Sequence, residues 1–171
     1  RLFTQLEAEF ADGAAQRRLR LHVAETDAVL ETDELLLHRI LGNLVANAIR
    51  YTDAGSVMVC CRWRSGGVEV QVRDSGIGIP QDEQARIFHE FYQLASANRD
   101  QAMGLGVGLA IVSRLSRLLG TSVVVRSAPG RGSLFSLRLP RRELPAEAAP
   151  RDRPALPDAA NALNVCDRRR S

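Results

Sequence analysis

Between Asp33 and Tyr51 the sequence commits to one long helix. Leu37, Ile40, Leu41, Leu44, Val45 and Ala48 recur at the three- and four-residue spacing that gathers side chains on one broad face, and Asp33 stands in front of them as an N-cap. A helix over about 34–51 with so wide an apolar face needs a second layer to lie against. Alternating patterns supply it. Segments 56–64 and 68–73, separated by Ser65-Gly66-Gly67, read as a hairpin, and 122–126 and 133–139 read as two further strands joined by a Pro129-Gly130 turn. Leu2, Phe3, Leu6 and Phe10 have helical spacing, and Leu19, Leu21 and Val23 alternate as a strand does. After Pro80 a short helix is expected over 81–86, and an apolar helix from Gly108 to about Leu119 is terminated by Gly120. Segment 96–103 is polar and aperiodic and is expected to be a mobile loop. Strands with helices between them, but without regular β-α-β alternation, predict an α+β fold: a two-layer α/β sandwich whose mixed sheet has helices packed on one face.

With 171 residues and 45% hydrophobic content, the chain suits one packed domain, expected over 1–140. Residues 141–171 are rich in Pro, Ala and Arg and are expected to form a flexible tail or linker. The chain opens at Arg1 with a helical pattern and no secretory signal, and is expected to be a piece of a longer protein. No apolar run approaches the ~20 residues that span a bilayer, so no direct membrane contact is expected of this stretch.

The net charge of +3 is no sign of nucleic-acid binding, because residues 1–140 carry 16 Arg against 15 Asp and Glu, and the remaining excess sits in the tail. All 23 basic residues are arginine, which excludes a Walker lysine, a protein-kinase strand lysine or a Schiff base within this chain. Cys60, Cys61 and Cys166 have no metal or redox spacing, one of the adjacent pair is expected to be buried, and a reducing cytoplasmic compartment fits best.

Three stretches carry candidate chemistry. Asn43, Asn47, Arg50 and Tyr51 project from roughly one side of the long helix, beside its apolar face. Two asparagines there are either a solvated stripe or neutral amide oxygens suited to a hard cation such as Mg2+. Asp74, in "DSGIGIP" (74–80), either makes a local Asx-type turn or accepts a hydrogen bond from an exocyclic amine such as that of adenine, with Gly76 and Gly78 letting a base approach the backbone. The glycine-rich stretch Gly104-Leu105-Gly106-Val107-Gly108 runs straight into a helix, and its glycines serve either packing or a phosphate cradle at the helix N-terminus.

In this order and spacing the three stretches resemble the ATP-binding domain of sensor histidine kinases, within the superfamily that also holds gyrase-type, chaperone and mismatch-repair ATPases. "NLVANAIRYT" (43–52) is similar to the N box, "DSGIGIP" to the first glycine box, "IFHEFYQL" (87–94) to the F box and "GLGVGLAIV" (104–112) to the second glycine box, while "GRGSLFSLRLP" (130–140) is similar to the terminal strand motif. The resemblance covers about residues 2–140 and implies the Bergerat fold with a mobile lid over ATP. By resemblance, Asp74 receives the adenine amine, Gly78 and Ile79 close the base pocket beside Gly76, and Ser133 is the hydroxyl next to the adenine. Asn47 corresponds to the Mg2+ ligand, with Asn43 one turn earlier; Arg50 and Tyr51 correspond to positions facing the phosphates. Gly104, Leu105, Gly106, Val107, Gly108 and Leu109 correspond to the lid anchor.

The resemblance also implies an activity. Superfamily members that hydrolyse ATP typically carry glutamate at the position of Asn43, and an amide cannot take a proton from water near neutral pH, so transfer to a histidine is expected over hydrolysis. The acceptor is absent here: His22 falls in a strand, His38 precedes Arg39 on the long helix, and His89-Glu90 runs into Phe91 rather than toward a proline. Implied partners are a histidine-bearing dimerisation domain elsewhere in a homodimeric parent protein and an aspartate-bearing response-regulator receiver, with this stretch itself monomeric. Gln93 stands where many relatives have arginine, and Arg99 is the one cation of the following loop. Competing expectations are an ATP-sensing interaction module and a serine kinase of the anti-sigma type.

Overall fold

A computed structural model of the chain describes residues 1–93 and 105–140. Helices α1 (Leu2–Gln16), α2 (Glu34–Arg50) and α3 (Gly108–Leu118) pack on one face of a sheet built from β1 (Arg20–Val23), β2 (Ser56–Arg64), β3 (Gly67–Asp74), β4 (Val123–Ser127) and β5 (Ser133–Pro140). The strand order is β1-β2-β3-β5-β4. Only β1 and β2 run parallel; the other three pairs are antiparallel, so the sheet is mixed. The expected two-layer α+β sandwich is what forms. Among the described residues no helix is long and apolar enough to cross a membrane.

The pleat sorts the sheet by parity. On β3, Val68, Val70 and Val72 point inward and meet Trp63, Cys61 and Val59 of β2 on one side and Leu139, Leu137 and Phe135 of β5 on the other. Ile40, Leu41, Leu44 and Val45 of α2 close over this ladder and are almost wholly buried. The Asp33 carboxylate accepts the Leu36 N–H at 3.0 Å, which satisfies one of the four N–H groups that the start of a helix leaves without an acceptor. Adjacent Cys60 and Cys61 face opposite sides of β2, and Cys60 is the buried one.

The opening helix expected from Leu2, Phe3, Leu6 and Phe10 forms and runs on to Gln16, where Ala14 continues the face of Leu6 and Phe10 with a side chain too small to register as a hydrophobic repeat. One element differs from expectation. Segment 81–86 is not an α-helix. It forms turns held by i to i+3 bonds, Glu83 N–H to the Pro80 carbonyl and Gln84 N–H to the Gln81 carbonyl, and then one 3-10 turn at Arg86–Phe88. The Gln84 side chain is committed elsewhere, donating to the Ile79 and Ser127 carbonyls at 3.1 and 2.8 Å. The expected lid falls mostly, and the expected tail wholly, outside the described residues.

Leu44 is 1% exposed under the sheet, at the centre of the layer contact. Leu44→Ala is expected to destabilise the fold by about 2–5 kcal/mol, read as a lower urea midpoint at unchanged slope.

Candidate nucleotide site

The inward rows of three neighbouring strands all end on polar residues. The parity that buries Val68, Val70 and Val72 aims Asp74 in the same direction; that which buries Phe135, Leu137 and Leu139 aims Ser133; Val123 and Val125 lead to Ser127. Since Ser127 pairs with Ser133, and Arg73 next to Asp74 pairs with Leu134 next to Ser133, the three side chains meet at one end of the core.

Asp74 is 7% exposed. Its Oδ1 accepts the Gly76 N–H at 2.8 Å and the Ser133 N–H at 3.1 Å. Burial pushes its pKa above the ordinary aspartate range, against the opposing pull of those two amides, the Ser133 hydroxyl and Arg73. The Ser127 hydroxyl accepts the Ile79 N–H at 2.8 Å and lies 2.8 Å from the Gly132 carbonyl and 3.0 Å from the Ser133 hydroxyl. β3, β4, β5 and the 75–80 loop are thereby tied to one polar cluster.

This cluster forms the back of a cavity that opens to solvent. Asn47, Ala48 and Tyr51 of α2 make one wall, Ile77, Gly78 and Ile79 another, and Ile87, Tyr92, Leu109 and Phe135 supply most of the remaining apolar surface. A largely apolar slot with one buried carboxylate suits a flat heteroaromatic ring carrying an exocyclic amine. The Arg86 guanidinium lies 4.7 Å from the centre of the Tyr92 ring and so backs one wall from outside.

Of the expected site residues, Asn47, Tyr51, Asp74, Gly78, Ile79, Leu109 and Ser133 line this cavity. Asn43, Arg50, Gly76, Leu105, Gly106, Val107 and Gly108 do not line it, and Gly104 lies outside the described residues. Asn43 is nonetheless close to Asn47 in function-bearing space: its Nδ2 donates to the Arg39 carbonyl at 2.8 Å, and a methyl group at Gly108 would come within 3.2 Å of its Oδ1 and 3.6 Å of Asn47 Nδ2. Both asparagines therefore face the start of α3, whose first N–H groups have no acceptor within the helix. Beside them, the Phe91 N–H donates to the Gly106 carbonyl at 3.0 Å and joins the two chain segments that flank 94–104.

The first-box glycines are also required by the protein's own packing. A side chain at Gly76 would strike the Tyr51 carbonyl, and one at Gly78 would strike the Ala128 carbonyl, with Gly78 also at φ +71°. Their missing side chains admit neighbouring backbone. The sequence reading missed Ser127 and the apolar lining residues Ile77, Ile87 and Phe135. Ser127 had one readable signal, its place at the end of an alternating strand; the others look like any core residue.

The model of the family described as histidine kinase-, DNA gyrase B- and HSP90-like ATPases matches residues 32–143. The chain belongs to this ATPase family. The sensor histidine kinase RcsC of Salmonella typhimurium is 37% identical over 111 residues, covering 65% of this chain and 12% of the relative. The aerobic respiration control sensor protein ArcB of Escherichia coli K12 is 39% identical over 131 residues, covering 74% of this chain and 17% of the relative. This chain thus spans less than a fifth of the length of either relative. Among solved structures, full-length ShkA in complex with AMPPNP is 34% identical with a TM-score of 0.70 over 81% of this chain and 29% of that one. The mycobacterial sensor histidine kinase MprB is 27% identical with a TM-score of 0.69 over 80% of this chain and 93% of that one. Like these relatives, the chain is an ATP-binding domain of the sensor-histidine-kinase type.

Asp74→Asn separates folding from binding. The raised pKa means that the folded chain holds the Asp74 proton more tightly than the unfolded chain, so wild-type stability falls as pH rises from the ordinary aspartate range through the folded pKa. The neutral amide keeps an oxygen for Gly76 and Ser133 and escapes that loss, so the variant is expected to match or exceed wild-type stability at pH 7 and to lose its advantage in acid. Adenine-nucleotide affinity is expected to fall about tenfold or more, because the amide N–H2 meets an amine donor. Thermal melts across pH, paired with calorimetry at pH 7, check both halves.

Proposed function

We propose that this domain binds Mg2+-ATP and transfers the γ-phosphoryl group to a histidine on a dimerisation domain elsewhere in its parent protein. The observation that carries the reading is the buried Asp74 carboxylate at the back of an apolar cavity that Asn47 also lines, with Asn47 and Asn43 beside the start of α3. Asp74 would accept the adenine amine, with Ser133 beside it and the Gly78-Ile79 backbone closing the base slot. Triphosphate emerging from the slot would meet Asn47, Asn43 and Tyr51 of α2 and the leading N–H groups of α3, which favour anions. Arg50 and the Gly104–Gly108 stretch complete this reading as phosphate-side groups.

The donor set fits a divalent cation of the hard kind. Among the described residues there is no cluster of His, Cys, Asp and Glu able to hold a metal on its own. Asn47 and Asn43 instead offer neutral amide oxygens near the phosphate region, which suits Mg2+ that shares its ligands with phosphate and water. When bound, Mg2+ would neutralise charge on the β- and γ-phosphates. Asn47 and Asn43 would orient those groups, and the α3 amides would stabilise charge moving onto ADP. In the transfer, an incoming imidazole nitrogen bonds to the γ-phosphorus as the bond to the ADP oxygen breaks, and the imidazole proton passes to solvent. Asn43 supports transfer over hydrolysis, because its amide is engaged with the Arg39 carbonyl and cannot act as a base toward water.

The parent protein is then a dimeric sensor kinase whose phosphohistidine supplies an aspartate-bearing receiver. ATP as substrate supports a cytoplasmic setting.

With the parent's histidine domain added in trans and γ-labelled ATP, acid-labile, alkali-stable phosphate is expected on that domain and little free phosphate is expected without it. Acid-stable label would point to serine and sink the histidine assignment. Asn47→Ala is expected to remove most of the Mg2+ dependence of ATP-analogue binding while leaving metal-free binding near wild type, and an unchanged Mg2+ dependence would remove Asn47 from the metal site.

A further inference from the structure

The sheet face turned away from the helices carries a charge pattern that the nucleotide site does not use. Opposite parity to the valine ladder puts Arg20 of β1, Arg62 and Arg64 of β2, Arg73 of β3, Arg126 of β4 and Arg138 of β5 on this face. Glu69 is the one acidic residue that the strand registers place there. Arg64 already engages it, with Nε 2.7 Å from Oε2, and this pairing together with the Gln71 amide holds its carboxylate below the usual range. The segregation is strong for a body of 16 Arg against 15 acids over residues 1–140. His22 adds a seventh basic group when protonated.

Between the arginines the face is not uniformly polar. Met58, Arg73, Leu134 and Arg126 lie in one cross-strand row, and Cys60, Gln71, Ser136 and Val124 in the next, with Cys60 and Gln71 buried, Met58, Leu134 and Ser136 half-buried and Val124 50% exposed. A shallow apolar centre ringed by arginine is the composition of a protein contact surface. We infer that this arginine-bearing sheet face docks an acidic, carboxylate-rich surface of a folded protein domain, apart from the nucleotide site.

Three features select a protein over other anions. Each cation is an arginine, whose fork matches a carboxylate with two parallel hydrogen bonds. Strand twist of roughly 20–25° per pair spreads the six across a saddle that a flat bilayer cannot meet at once. Among the described residues, the strand registers place no aromatic side chain on this face to stack on a base, which disfavours single-stranded nucleic acid.

The test uses the full chain with a photo-crosslinking residue in place of Ser136, irradiated in the cells that express its parent protein, with the adduct mapped by mass spectrometry. The expected adduct is a protein segment of net negative charge, reduced at least about tenfold when Arg62→Gln, Arg126→Gln and Arg138→Gln are combined. Unchanged AMPPNP binding by the triple variant establishes that its fold and nucleotide site persist, so failure here is distinguishable from failure of the ATP site. Adducts on lipid or nucleic acid, adducts on a neutral or basic segment, no adduct beyond that of the same probe at exposed Gln5, or an adduct indifferent to the triple change would each overturn the inference.

Discussion

A carboxylate that cannot be freely hydrated organises one end of this molecule. Asp74 is brought inward by the same pleat that buries three valines, and two N–H groups, from Gly76 and Ser133, compensate part of what it loses in leaving water. Those donors come from different elements, the loop after β3 and the start of β5. Satisfying the acid therefore fixes the loop against the sheet. The loop in turn carries Gly78 and Ile79, whose N–H reaches Ser127 on β4, so the polar cluster and the cavity wall are one mechanical unit. Compensation is incomplete, as the raised pKa records, and a ligand amine that donates to the same carboxylate would return some of the missing solvation. Part of the affinity for such a ligand is thus prepared in the empty fold.

The opposite end of the site depends on proximity of backbone rather than on charge. Gly108 opens α3 directly against Asn43 and Asn47 of α2, so close that a Cβ there would press on Asn43 Oδ1 at 3.2 Å and touch Asn47 at 3.6 Å. Two neutral amides and a helix N-terminus are brought together there. Such a site attracts an anion through oriented dipoles and leaves room for a cation to arrive with it.

Much of this was legible in the residues, and the reasons differ from case to case. Long periodic segments announced α2 and the hairpin because burial on one face imposes a period on any sequence that folds this way. Asp33 was readable as a cap, and it caps. Asp74 stood out by its place before two glycines and the asparagines as poor helix formers sharing one helix face, whereas Ser133 was reached only through the family resemblance. What failed to show was of two kinds. Ala14 and segment 81–86 hide because small or sparse apolar residues leave the period undersampled, and tertiary bonds such as those of Gln84 then decide the local structure. Gly76 and Gly78 show that a glycine reports a close approach without reporting what approaches: the Tyr51 and Ala128 carbonyls lie where their side chains would be. Ile77, Ile87 and Phe135 were illegible in principle, since a cavity wall and a core use the same residues.

One alternation underlies both faces of the sheet. Inward positions of β3, β4 and β5 pass from apolar residues to Asp74, Ser127 and Ser133, where the helical layer ends and the cavity begins. Outward positions on the same strands bear Arg73, Arg126 and Arg138. Arg73 sits between the two worlds: it belongs to the outer row, yet its charge is among those that draw the Asp74 pKa down. An acidic surface seated on the outer face would bring negative charge toward Arg73 and weaken that pull, while leaving the Gly76 and Ser133 hydrogen bonds in place. Ionised Asp74 would then be costlier still, because burial would meet less opposition from the charge beside it.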